Sequence, residues 1–127
     1  MNFYLTDQGL DGRTFTICAG GELDMYSAPA LRDAIADAAG TGAAVVLVDL
    51  GEATFVDSTT IGVLVAAART LREAGSRLSL RCVNRNVLRT FEIAGLERHM
   101  PISREPDPSE IVVVVPPRAR AFGDVGS

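Results

Sequence analysis

The sequence predicts an α/β domain with a mixed, mostly parallel sheet, an N-terminal β-hairpin and helices packed on the sheet. Three observations carry this. Apolar runs of strand length alternate with segments whose apolar residues recur at helical spacing, and a helix between two strands returns the chain for a right-handed parallel crossover. The Asp11-Gly12 pair is a tight-turn signal joining two strand-like runs near the N-terminus. The 127 residues are the length of one domain, enough to bury a core without metal or disulfide support.

The elements follow in order. Residues 3 to 8 and 13 to 19 are expected strands, connected through Gly9-Leu10-Asp11-Gly12, and Gly20-Gly21 is expected to break the second. Ser27, with Pro29 behind it, marks a helix start, and Leu31, Ala34, Ile35 and Ala38 form its apolar stripe up to Gly40-Thr41-Gly42. The run 44 to 50 reads as a buried strand, and Ile61, Leu64, Val65, Ala68 and Leu71 as a helix that stops at Gly75. Residues 77 to 83 form a further strand, Asn86 to Ala94 a short helix ended by Gly95, and Met100 to Ser103 a short last strand. From Ser103 the composition changes. Pro106, Pro108, Pro116 and Pro117 exclude a long helix, leaving Ile111 to Val115 as an added edge strand and the residues from about 118 as a disordered tail. The domain is therefore assigned to 1–104 and a Pro-rich extension to 105–127.

Composition excludes several function classes. A net charge of −4 argues against a nucleic-acid binder, which needs a concentrated basic surface. No apolar run approaches the ~20 residues that cross a bilayer. The first residues lack a cationic segment followed by an apolar stretch, so a cytoplasmic location is expected. All 12 basic residues are Arg, which carries no functional weight. Cys18 and Cys82 lie in separate strand-like runs and read as buried thiols, and the single His99 has no partner residues for a metal or base role. No metal or cofactor is expected. Arg81, Arg85 and Arg89 share no common face and read as solvated surface, while the Gly pairs lack the Lys and Ser/Thr of a phosphate-binding loop.

The most informative segment is Phe55-Val56-Asp57-Ser58-Thr59-Thr60-Ile61-Gly62, where three hydroxyls and a carboxylate fall at a helix start. On local grounds it is an N-cap cluster, since Asp, Ser and Thr each satisfy orphan backbone donors for about 1 kcal/mol. The same helix terminus also tolerates an anion, including a phosphoryl group attached there. In open parallel sheets, sites collect beyond the carboxyl ends of strands, where Gly21-Glu22-Leu23-Asp24 and Asp57-Ser58-Thr59 are both expected.

Together with Asp49-Leu50 and the later Val87-Leu88-Arg89-Thr90-Phe91-Glu92-Ile93-Ala94-Gly95-Leu96, these two segments give residues 1 to 104 a pattern that resembles the STAS family, and within it the bacterial anti-sigma factor antagonists. The family signature is Asp-Ser-Ser/Thr-Gly-Leu/Ile, whose second hydroxyl residue accepts phosphate. The resemblance implies Thr59 as acceptor with Ser58 as second candidate, and a partner-binding surface of Asp24, Asp57, Ser58, Thr59 and Thr60. It implies a non-enzymatic switch that, unphosphorylated, sequesters an anti-sigma factor serine/threonine kinase and frees a sigma factor, with a PP2C-type phosphatase for reset. Thr60 stands where the family has Gly. A β-branched side chain there is expected to hinder the kinase, alter which kinase fits or compete as an acceptor. The alternative is a STAS scaffold or stressosome-like assembly module that is not phosphorylated, in which the hydroxyls only cap. Oligomeric state is left open.

Overall fold

The computed structural model describes residues 3–104. The expected strand at 111 to 115 and the tail beyond it lie outside the described residues. Strand β1 (Phe3–Asp11) turns back through Gly12-Arg13 into β2 (Thr14–Leu23), closing the hairpin that Asp11-Gly12 announced. Helix α1 (Ala28–Ala39) follows, then β3 (Val45–Asp49), β4 (Ala53–Val56), α2 (Ser58–Glu73), β5 (Arg77–Arg81), α3 (Arg85–Ala94), a single 3-10 turn (Leu96–Arg98) and β6 (Ile102–Ser103). The strands form one six-stranded sheet, with β1-β2-β3-β5-β6 neighbours in that order and β4 off this path, paired with β2. Apart from the hairpin, every pairing is parallel.

Strand β1 runs on through Gly9 to Asp11, residues expected to connect the hairpin, and two further features depart from expectation. Gly20-Gly21 does not end the second strand, which continues to Leu23. The ring of Tyr4, from the paired strand, lies directly on Gly20, so that a Cβ there would sit 2.5 Å from the ring. Gly21 adopts φ 80 at the register shift where β2 changes partner from β3 to β4. The glycines therefore serve close packing and a bulge within a strand, both of which glycine permits. The second departure is β4 itself. The chain leaves β3 at Leu50, turns, and pairs Ala53–Val56 with the end of β2 before entering α2, so a fourth strand stands between the buried run and the hydroxyl segment.

Strand alternation divides the sheet into two faces. Leu5, Ile17, Ala19, Val46, Val48, Leu78 and Leu80 are buried against Leu31, Ile35 and Ala38 of α1 and Leu64, Ala68 and Leu71 of α2. The stripe expected for each helix is thus the stripe that packs, with Ala34, Ile61 and Val65 only partly covered. The opposite face carries Thr6, Thr16, Cys18, Leu47, Ser79 and Arg81, all half-buried. Arg81 is not the solvated residue its sequence position suggested. Its guanidinium meets Asp49 at 3.1 Å, and the Asp49 carboxylate also accepts the Gly51 N–H at 2.9 Å. Cross-strand register places Asp49 directly opposite Arg81, a pairing that spacing along the chain does not reveal. Arg85 and Arg89 are exposed, as expected.

Tyr4 adds a pH-sensitive contribution. Its hydroxyl donates to Glu52 at 3.0 Å, and burial, followed by that hydrogen bond, pushes the phenol above its ordinary 10.0. A raised folded-state pKa means the proton is held more tightly in the native chain, so this stability is complete below the unfolded value and is lost as pH rises through the folded one. Circular dichroism between about pH 9 and 12 is expected to show a steeper loss of stability for the native protein than for Tyr4→Phe, which has no proton to lose there. Equal slopes would remove Tyr4 from the account.

Candidate functional site

The site is built where two connections leave the carboxyl ends of neighbouring strands. Leu23 ends β2 and Val56 ends β4, and the two residues are paired in register. Asp24 and Asp57 are the next residues, so the sheet brings together two carboxylates that are 33 positions apart in the chain. This is the juxtaposition that the two segments were expected to share, although the hydroxyl segment follows β4 and not β3.

Asp57 is extended at φ −104 and ψ 179, outside the helix that follows, and its side chain accepts the Thr60 N–H at 2.9 Å. That is the N-cap arrangement, which satisfies one orphan donor of the first turn. Ser58 and Thr59 are the first two residues of α2 and both are exposed. Their hydroxyls stand at the positive end of a 16-residue helix, where added negative charge is stabilised by the helix dipole. The cap role therefore falls to the carboxylate, and Ser58 and Thr59 are left exposed beside it.

Thr60 is placed differently from Ser58 and Thr59. It is 1% exposed, and its hydroxyl donates to the backbone carbonyl of Leu23 at 2.9 Å. Its side chain does not belong to the surface shared by Ser58 and Thr59. The expectation that it presents bulk to a partner, or competes as an acceptor, does not match this geometry. Helical spacing explains the difference: Thr60, Leu64, Ala68 and Leu71 lie on the buried stripe of α2.

Asp24 organises the other connection. Its carboxylate accepts the Tyr26 N–H at 2.9 Å and the Ser27 N–H at 3.3 Å. Ser27 begins α1 as expected, yet its hydroxyl turns back instead of capping. It accepts the Asp24 N–H at 2.9 Å and donates to the Asp24 carbonyl at 3.1 Å. Asp24 thus holds a tight local turn while remaining partly exposed. The turn displays Met25 and Tyr26, 55% and 71% exposed, and the paired strand displays Phe55 at 50%. These three large apolar side chains were not singled out from sequence. The available signal was a Met-Tyr pair inside a polar turn, and a Phe on the outward phase of a four-residue strand.

Other chemistry is sparse. Among the described residues no group of three or more His, Cys, Asp or Glu side chains could hold a metal ion, and no helix is long and apolar enough to cross a membrane. Cys18 and Cys82 carry thiols and no disulfide joins them; burial raises the Cys82 thiol pKa.

Comparison with known proteins decides the family. A family model described as Mlab, STAS domain matches residues 6–104. The chain belongs to the STAS domain family. This STAS domain is 34% identical over 96 residues to an anti-sigma-B factor antagonist of Listeria monocytogenes, covering 76% of this chain and 84% of that one. It is 35% identical over 83 residues to the anti-sigma-B factor antagonist of Bacillus subtilis, covering 65% and 75%. Among solved structures, an anti-sigma factor antagonist from Mycobacterium paratuberculosis superposes with a TM-score of 0.75 at 20% identity, over 85% of this chain and 91% of that one. The Bacillus cell fate determinant SpoIIAA in its phosphorylated form superposes at 0.61 and 23% identity, over 80% and 93%. The STAS fold expected from the sequence is the fold observed.

Proposed function

We propose that this STAS domain is an anti-sigma factor antagonist that acts as a binding switch and not as an enzyme. In its unphosphorylated form it docks on a cytoplasmic anti-sigma factor serine/threonine kinase and so releases a sigma factor. Phosphorylation at Thr59, with Ser58 as the second acceptor, ends docking, and a PP2C-type phosphatase resets it. The observation that carries this reading is the division of labour at the start of α2: Asp57 caps, Thr60 is buried, and of the three hydroxyl residues after the cap Ser58 and Thr59 are the exposed ones. The names of the relatives in Listeria and Bacillus support the same partner class.

The docking surface would combine Asp24, Asp57, Ser58 and Thr59 with the exposed Met25, Tyr26 and Phe55. Aromatic and Met side chains supply the buried centre of many interfaces. A phosphoryl group brings about −1.5 to −2 charge. The helix terminus accommodates that charge within the domain. At an interface flanked by Asp24 and Asp57 it adds like-charge repulsion and desolvation cost instead, so binding is lost without rearranging the fold. Because Thr60 leaves the acceptor surface unobstructed, it gives no reason to prefer a constitutive assembly module.

Incubation of the full chain with its candidate kinase and Mg-ATP, followed by peptide mapping in a mass spectrometer, tests the switch. Phosphate is expected on Thr59. Modification of neither Thr59 nor Ser58 by a kinase that binds the chain would overturn it.

A further inference from the structure

We propose that Thr60 couples the acceptor segment to the Asp24 turn, so that a charge placed on Thr59 is transmitted to residues 24 to 27 through a hydrogen-bonded circuit. The inference takes Thr59 as the modified residue and in that respect rests on the reading above.

The circuit has three bonds. The Thr60 hydroxyl donates to the Leu23 carbonyl at 2.9 Å, the same carbonyl accepts the Asp57 N–H at 3.1 Å, and the Thr60 N–H donates to the Asp57 carboxylate at 2.9 Å. It joins the last residue of β2, the cap and the third residue of α2 in a closed ring. Leu23 and Thr60 are each 1% exposed, so water does not compete for these groups. Within a low-dielectric interior such bonds are stronger and hold their members in one arrangement.

Leu23 is bonded directly to Asp24, whose N–H and carboxylate in turn fix Tyr26 and Ser27. A shift of the first turn of α2 is therefore passed by a side-chain hydrogen bond to the β2 terminus and by the next peptide to the turn that displays Met25 and Tyr26. Glycine, the family residue at this position, has no hydroxyl with which to make that bond. The two surface segments are consequently tied more rigidly in this chain than a glycine there would allow. Thr60 is a positioning residue and touches no partner.

The test uses amide NMR spectra of the full chain and needs no partner. Thr59→Glu is introduced into the native background and into Thr60→Val and Thr60→Gly backgrounds. In the native background the mutation is expected to displace the amide resonances of Asp24, Tyr26 and Ser27 as well as those of 58 to 62. In either Thr60 variant the displacement at Asp24, Tyr26 and Ser27 should fall by about half or more, while the local displacement persists. Thr60→Ser, which keeps the hydroxyl, should restore it. An undiminished displacement at Asp24, Tyr26 and Ser27 in Thr60→Gly would overturn the proposal even if Thr60→Val does not fold. The outcome is also separable from the partner reading. Failure of the kinase to modify Thr59 leaves the spectra unaffected, and loss of coupling leaves the modification assay unaffected.

Discussion

Thr59→Glu is expected to weaken binding to the cognate anti-sigma factor by ~10- to 100-fold, each tenfold step corresponding to about 1.4 kcal/mol. The residue is exposed at the second position of α2, two residues after the Asp57 cap. An added carboxylate there creates a third negative group on a surface that already carries two, and desolvating it against a partner is unfavourable. The folded domain should not suffer, because a negative charge in the first turn is stabilised by about 0.3–1 kcal/mol through the helix dipole. Titration calorimetry with the purified anti-sigma factor reads the affinity, and thermal melting reads the fold. Thr59→Ala is expected to bind within about threefold of the native protein, since it truncates an exposed side chain without adding charge. An unchanged dissociation constant for Thr59→Glu would mean that the start of α2 lies outside the interface.

Phe91→Ala is expected to destabilise the domain by about 3–5 kcal/mol, a large share of the 5–15 kcal/mol typical of a domain this size. Phe91 is 1% exposed and, with Val87, is one of two fully buried residues of α3. The helix has little else to hold it on β4, and truncation leaves a cavity the remaining side chains cannot fill. Ile93→Ser on the same helix is the comparison. Ile93 is 81% exposed, so its replacement should change stability by no more than about 0.5 kcal/mol. Urea denaturation of the two variants separates them, and similar midpoints would contradict the buried role of Phe91. The contrast also distinguishes a core residue from a surface one within a single short helix.

Much of the fold was legible because the elements advertise themselves locally. Ser27 and Gly40 flank α1 at its two cap positions, α2 occupies the span predicted from its apolar spacing, and Gly95 stands just past the end of α3. The hairpin turned at Gly12, beside the signal that announced it. What escaped notice was β4, which is only four residues long and carries a buried-exposed-exposed-buried pattern that matches neither simple alternation nor a continuous apolar run. Gly20-Gly21 misled for a related reason. Glycine interrupts a strand only when nothing else needs the space, and the Tyr4 ring that needs it comes from another strand.

The same division holds at the site. Residue identities and helical phase determined that a cap cluster of one carboxylate and three hydroxyls stands at a helix start, and that the chain carries the STAS pattern. These properties are local, set by spacing within one element and by the chemistry of single side chains. Tertiary structure alone decided that Asp24 and Asp57 emerge side by side, that Met25, Tyr26 and Phe55 are displayed around them, and that the Thr60 hydroxyl is buried against the Leu23 carbonyl. Each of those facts depends on the register between β2 and β4, which joins residues more than thirty positions apart. Such pairing is established by the packing of the whole sheet, and no single stretch of the chain encodes it.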